Sequence, residues 1–93
     1  MDLEARFDQF SGDYLKFEDI AEKLSQRRDM HAFMLLESLL PGQRPMISAS
    51  ENDEIYLDVP VNQLAGITDA RIQELVRCGV RYDARYENLH MFI

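Results

Sequence analysis

The chain has no tryptophan, one cysteine, three prolines and four glycines among its 93 residues. The lone cysteine, Cys78, excludes an internal disulfide, and no basic segment leading into an apolar one follows Met1, so secretion is not expected. The longest uninterrupted apolar run, Ala32 to Leu36, falls far short of a bilayer span. The few glycines stand as punctuation and build no phosphate-cradling loop, and neither a Ser-His-Asp spacing nor a HExxH pair occurs. Basic residues are scarce as well, ten against seventeen acidic, which leaves a net charge of −7. Nucleic acid and anionic lipid both need positive potential over the contact surface, so direct binding to either is not expected. The expectation is a soluble cytoplasmic protein with no cofactor and no membrane contact.

What is present suits one globular domain. Hydrophobic residues at 46% and charged residues at 29% lie near the globular averages, which argues against disorder. Residues 1–93 are read as a single domain, with a helical part over 1–40 and a hairpin–helix–hairpin part over 46–93. The acidic excess is all in the first two thirds: residues 1–58 hold thirteen acidic and six basic side chains, and residues 59–93 hold four of each.

Leu3, Phe7 and Phe10 recur at helical spacing until Ser11-Gly12 interrupts them. From Asp13 the spacing resumes through Tyr14, Phe17, Ile20, Ala21 and Leu24, which predicts a second helix. Ser25 or Asp29 can cap the next one, MHAFMLLESLL, which Pro41-Gly42 ends. Its apolar residues cover well over half the wheel and leave His31 and Ser38 as a polar strip. A surface helix needs about a third of its circumference apolar, so this helix is either central to the core or one side of a self-association seam through Met30, Phe33, Met34 and Leu35.

After Pro45 the period changes to two. Ile47 and Ala49, then Ile55, Leu57 and Val59, alternate with polar residues about a Glu51-Asn52-Asp53 turn, which predicts a hairpin ended by Pro60. VNQLAGI has room for one helical turn. Thr68 is a good N-cap for a helix from Asp69 to Cys78, and Gly79 suits its exit. A second hairpin follows, with Val80 to Tyr82 in one strand and Leu89 to Ile93 in the other. The fold class is therefore α+β: three to four helices packed on a small, mostly antiparallel sheet built from two hairpins.

Three constellations deserve weighing. The carboxylates Glu51, Asp53, Glu54 and Asp58 lack the glycine and the twelfth-position carboxylate of a calcium loop, and the outer face of a strand would leave Glu54 and Asp58 hydrated, too wet for acid–base work. Cys78 sits at a helix C-terminus, where the dipole disfavours a thiolate, and one cysteine with two distant histidines makes no zinc site, so a buried structural thiol is the better reading. Arg77, Arg81, Tyr82, Arg85 and Tyr86 form the one basic and aromatic cluster. If the Val80 and Ile55 strands are neighbours, Arg81 falls beside Glu54 or Asp58 and the charges pair internally; otherwise the cluster suits a protein interface better than a nucleic acid.

The functional expectation is a non-enzymatic protein-binding module, an adaptor or regulator that can be a homodimer. Its partner would be another protein with a basic surface, contacted through Glu51, Asp53, Glu54, Tyr56, Asp58, Arg81, Arg85 and Tyr86. The alternative is an acidic inhibitor that mimics nucleic acid, of the kind phage counter-defence proteins use.

Overall fold

The computed structural model describes residues 2–43 and 45–92, with the backbone alone at Val61. Helix α1 spans Leu3–Asp8; the Asp2 carboxylate caps it by accepting from the Ala5 amide at 2.9 Å. Its Phe7 is buried and stacks on Tyr82, with ring centroids 6.2 Å apart. Arg6 ties α1 to a distant segment. Its guanidinium donates to the carbonyls of Leu64, Ala65 and Ile67 and reaches Asp69 Oδ1 at 3.1 Å. The forked donor set of arginine serves several acceptors at once, which a lysine would not do.

The helix expected from Asp13 to Leu24 is not formed. Two short 3₁₀ turns, Ser11–Asp13 and Phe17–Asp19, take its place, and the chain then runs irregularly to α2. Leu15 lies between the turns at φ 63°, a left-handed conformation that interrupts any α-helix, and its amide donates instead to the Val76 carbonyl at 3.3 Å. Lys23 Nζ, at 2.9 Å, satisfies the carbonyl of Ile20. The helical spacing of Phe17 and Ile20 records residues that reach the core from consecutive turns, a pattern periodicity cannot tell from a helix.

Helix α2, Arg28–Leu39, begins from Arg27 without a side-chain cap. Ser25 and Asp29 act locally, on the amides of Arg27 and Met30. Ala32, Leu35 and Leu36 are buried, whereas Met30 and Met34 stay more than two-fifths exposed. Leu35 therefore belongs to the core and not to any seam. His31 is not on a surface strip but fully buried.

Strands β1 (Ile47–Glu51) and β2 (Glu54–Leu57) form the first antiparallel pair, and β3 (Val80–Asp83) and β4 (Asn88–Phe92) the second. Ile93, expected in the last strand, lies outside the described residues. The pairs join through β2 and β4, so the sheet order is β1-β2-β4-β3, antiparallel throughout. Ile55, Leu57, Val80, Leu89 and Met91 point inward and are buried. A bulge between Ile47 and Ala49 changes the register of β1, setting Ile47 opposite Leu57 and Ala49 opposite Tyr56. The two do not share the inner face as their spacing predicts, and all five residues of β1 are exposed.

Between the pairs, a 3₁₀ segment over Val61–Gly66 carries Leu64 into the core, and α3 (Asp69–Arg77) follows. The Thr68 hydroxyl caps α3 by accepting from the Arg71 amide, and Ile72, Leu75 and Val76 form its buried face. Gly79 ends α3 at φ 93°, and a Cβ there would lie 2.5 Å from Arg28 Nη1 and 2.8 Å from Leu15 Cδ2. Only glycine satisfies both the conformation and the close approach. Helices α1 and α3 pack beside β3, and Phe33 and Glu37 of α2 border a hollow with Met46 and with Ile47 of β1. The result is an α+β fold of one four-stranded antiparallel sheet and three helices.

Candidate functional site

The buried inner strand residues face the helices, so the opposite face of the sheet is where the acidic and aromatic side chains gather. Strand alternation puts Glu54 and Tyr56 of β2, His90 of β4 and Arg81 of β3 on that face. Because β4 lies between β2 and β3, Arg81 is not beside Glu54 or Asp58, and the internal pairing conditional on adjacent strands does not form. His90 takes that place. It stands opposite Tyr56 in register, its Nδ1 lies 2.8 Å from Glu54 Oε1, and its ring stacks on Tyr56 with centroids 6.0 Å apart and planes 9° from parallel.

Arg81 turns away from this row, its guanidinium 5.2 Å from the centre of the Tyr14 ring. Arg85 folds back on its own hairpin: its amide donates to Asp83 Oδ1 at 2.9 Å, and its Nη2 reaches Oδ2 at 3.3 Å. These hydrogen bonds, the side-chain ones first, hold the Asp83 carboxyl below its ordinary range although burial opposes them. Tyr86 is two-thirds exposed at the same hairpin, with Arg85 over its ring at 5.4 Å.

At the other end of the row, Glu51 stands directly across from Glu54, and Asp53 is exposed in the turn between them. Like charges opposite one another in a ladder repel. Loss of hydration first, and then Glu54 and Glu51, raise the Tyr56 phenol above its ordinary value, so it carries its proton at neutral pH. Asp58 departs from the row: β2 ends at Leu57, and Asp58 lines a depression of about 420 Å³ together with Glu37, Leu40, Met46 and Pro60. Of the eight residues predicted for partner contact, the structure gathers Glu51, Asp53, Glu54 and Tyr56 at one end of the sheet, sets Arg81, Arg85 and Tyr86 on the β3 side, and separates Asp58 from both.

A second polar arrangement lies inside. His31 Nδ1 accepts the Leu24 amide at 3.0 Å, which places the ring proton on Nε2, and Nε2 donates to Glu74 Oε2 at 2.7 Å. The other oxygen of Glu74 takes Arg71 Nη1 at 3.0 Å. Each polar atom of the imidazole thus has a partner, and the pair joins the segment before α2, α2 itself and α3. Cys78 is fully buried nearby; burial, with Glu74 adding and Arg28 opposing, pushes its thiol up to about 12. Such a thiol is no nucleophile at neutral pH. Among the described residues no group of three or more His, Cys, Asp or Glu side chains could hold a metal ion, and no helix of the described residues is long and apolar enough to cross a membrane.

No protein-family model matches this chain, and neither a curated protein nor a solved structure matches it. Function must therefore be argued from the site. Alternation with Leu89 and Met91 sets His90 on the outer face, but its role in the centre of the row depends on the strand order, which that alternation does not carry. Neither Arg6 nor Glu74 is singled out by the sequence: the Arg6 side chain bonds to residues 58 or more positions away and Glu74 to His31, 43 positions away, while only the Arg71–Glu74 pair, three residues apart on α3, is of the kind that helical spacing signals.

Proposed function

We propose that this chain is a small, non-catalytic protein-binding module, an adaptor or regulator, that meets a basic surface of another protein with the acidic end of its sheet. The observation that supports the reading is the juxtaposition of Glu51 and Glu54 in the ladder with Asp53 at the turn, while Arg81 is engaged by Tyr14 and Arg85 by Asp83. Glu54 is met by His90, but among the described residues no arginine or lysine of the sheet pairs with Glu51 or Asp53, so negative potential concentrates there, and complementary potential steers a partner and fixes its orientation. Tyr56 and His90 add a flat aromatic pair beside the carboxylates, the kind of rigid surface that interfaces favour.

The test is the triple variant Glu51→Gln, Asp53→Asn, Glu54→Gln, compared with wild type by capture from the native lysate and by titration with each captured protein. Expected is an unchanged circular dichroism spectrum with binding weakened at least tenfold, and wild-type binding that falls as salt is raised. Equal affinity for the variant would remove the acidic end from the argument. The same cluster also supports the second reading, an inhibitor that imitates nucleic acid by spacing carboxylates like phosphates. In that case the captured partner is a nucleic-acid-binding protein, and DNA or RNA competes with this chain for it.

A further inference from the structure

The outer face of the sheet carries two rows of side chains that complement each other chemically. The strand register sets Glu51 of β1, Glu54 of β2 and Phe92 of β4 side by side in one row, and Ala49, Tyr56 and His90 in the next. Residues directly opposite on one face stand ~5 Å apart, and successive rows ~7 Å. The Tyr56 ring, uncharged at neutral pH because its proton is held, therefore lies one row from two carboxylates.

This corner of the sheet is open. Ala49, opposite Tyr56 on β1, is exposed and ends at its β-carbon, too short to cover the phenol ring, and Phe92 is 41% exposed. On the β4 side the His90 ring lies parallel to that of Tyr56. A carboxylate only accepts, so the bond to Glu54 Oε1 puts a proton on His90 Nδ1. Among the described residues nothing bonds to Glu54 Oε2 or to the side chain of Glu51. Acceptor capacity and an aromatic surface thus stand together, half used.

We infer that this corner takes the guanidinium of an arginine side chain, its flat face on the Tyr56 ring and its edge donors shared between Glu51 and Glu54. The inference rests on the basic-partner reading above and narrows it to one residue type. Charge complementarity selects the occupant. A guanidinium is planar, weakly hydrated and forked, so it stacks and bonds to two carboxylates at once, whereas a lysine ammonium is a strongly hydrated point charge with no flat face. A nucleobase would stack on the same rings, but its phosphates would meet Glu51, Asp53 and Glu54. A second copy of this chain would bring the same carboxylates against themselves. Arg81 of the same sheet does not fill the place, since its guanidinium lies over Tyr14.

The test titrates the full chain with capped Gly-Arg-Gly, Gly-Lys-Gly and Gly-citrulline-Gly peptides over ~0.1–50 mM, the range proper to a single side chain, and follows the NMR resonances of the Tyr56 ring and of Glu51 and Glu54. The arginine peptide should shift these resonances and bind ~2–5-fold more tightly than the lysine peptide, the gain of a cation on an exposed aromatic face. Citrulline, its neutral isostere, should not bind. In Tyr56→Leu, which keeps both carboxylates, arginine should lose its lead over lysine. The comparison of peptides on the wild-type chain stands whether or not that variant folds. Equal affinity for arginine and lysine overturns the guanidinium site, as does a lead that survives in folded Tyr56→Leu, or an arginine peptide that leaves the Tyr56, Glu51 and Glu54 resonances unmoved. The basic-partner reading is judged by the triple carboxylate variant against captured proteins, so the two fail separately.

Discussion

Replacing His31 with leucine removes two hydrogen bonds while roughly keeping the volume of the side chain, so the loss is polar and creates little cavity. The bond from the Leu24 amide is neutral, and one of this kind contributes ~1 kcal/mol; the bond to the Glu74 carboxylate is of the charge-assisted class, ~1.5–3 kcal/mol. Together they predict a destabilisation of ~3 kcal/mol, a large part of the ~5–15 kcal/mol that a domain has in total. At ~4–8 °C per kcal/mol for a domain of this size, the thermal midpoint should drop by roughly 12–24 °C. Urea unfolding followed by far-ultraviolet circular dichroism should show the midpoint falling with an unchanged slope. Combining His31→Leu with Glu74→Gln in a double-mutant cycle should give a coupling energy of about 1–2 kcal/mol, because the two side chains share one bond. Nitrogen NMR of the imidazole should find the proton on Nε2. A coupling below ~0.5 kcal/mol, the level at which independent sites add, or a proton on Nδ1, would refute the description of this network.

Cys78 should resist a thiol reagent at pH 8 in the folded protein and react at once in denaturant, since burial holds its thiol near 12. Because that value is raised above the ordinary thiol value of 9.0, the folded state keeps a proton that the unfolded chain gives up. Stability contributed in this way is complete below 9.0 and declines as pH rises toward about 12, and Cys78→Ala should flatten that decline. Fast labelling of the native protein would contradict the buried placement. For Asp83 the sign is reversed: Arg85 holds its carboxyl low, so the stabilisation is complete above the ordinary carboxylate range near pH ~4 and is lost as pH falls through the lowered value. The thermal midpoint of Asp83→Asn should therefore change less than that of wild type on acidification below pH ~4, and parallel acid limbs would remove the Arg85 interaction as the cause.

Elements whose signals are local were legible before any coordinates. The Thr68 cap, the apolar face Ile72-Leu75-Val76 and Gly79 all lie within one helix and its ends, and α3 forms where they predict. Alternation marked β2 and β4, whose inward residues are buried, but it misled in β1, where the bulge between Ile47 and Ala49 breaks the expected face. The misreading of residues 13–24 has a physical origin: successive 3₁₀ turns bring Phe17 and Ile20 to the core at intervals that resemble a helix, and the left-handed Leu15 leaves no trace in the pattern. At the site, alternation put Glu54 and Tyr56 on the outer face, but which strand would lie beside them is a question of topology. The answer, His90 in place of Arg81, depends on the order in which two hairpins meet, and no short stretch of sequence encodes it. The split within the oily helix, with Leu35 inward and Met34 outward, depends in the same way on where the sheet lies beneath it.

The sheet order also bears on how the chain acquires its structure during synthesis. Residues 47–57 can turn back on themselves as soon as they leave the ribosome, yet one side of β2 has no mate until residues 88–92 arrive, because β4 is inserted between β2 and β3. Until then the nascent chain holds a two-stranded ribbon, marginal by itself in water, with bare edges on both sides and an apolar face. Any ribosome pause between Pro60 and Asn88 therefore prolongs the interval in which this protein is most open to chaperones, proteases and misplaced strands from its neighbours.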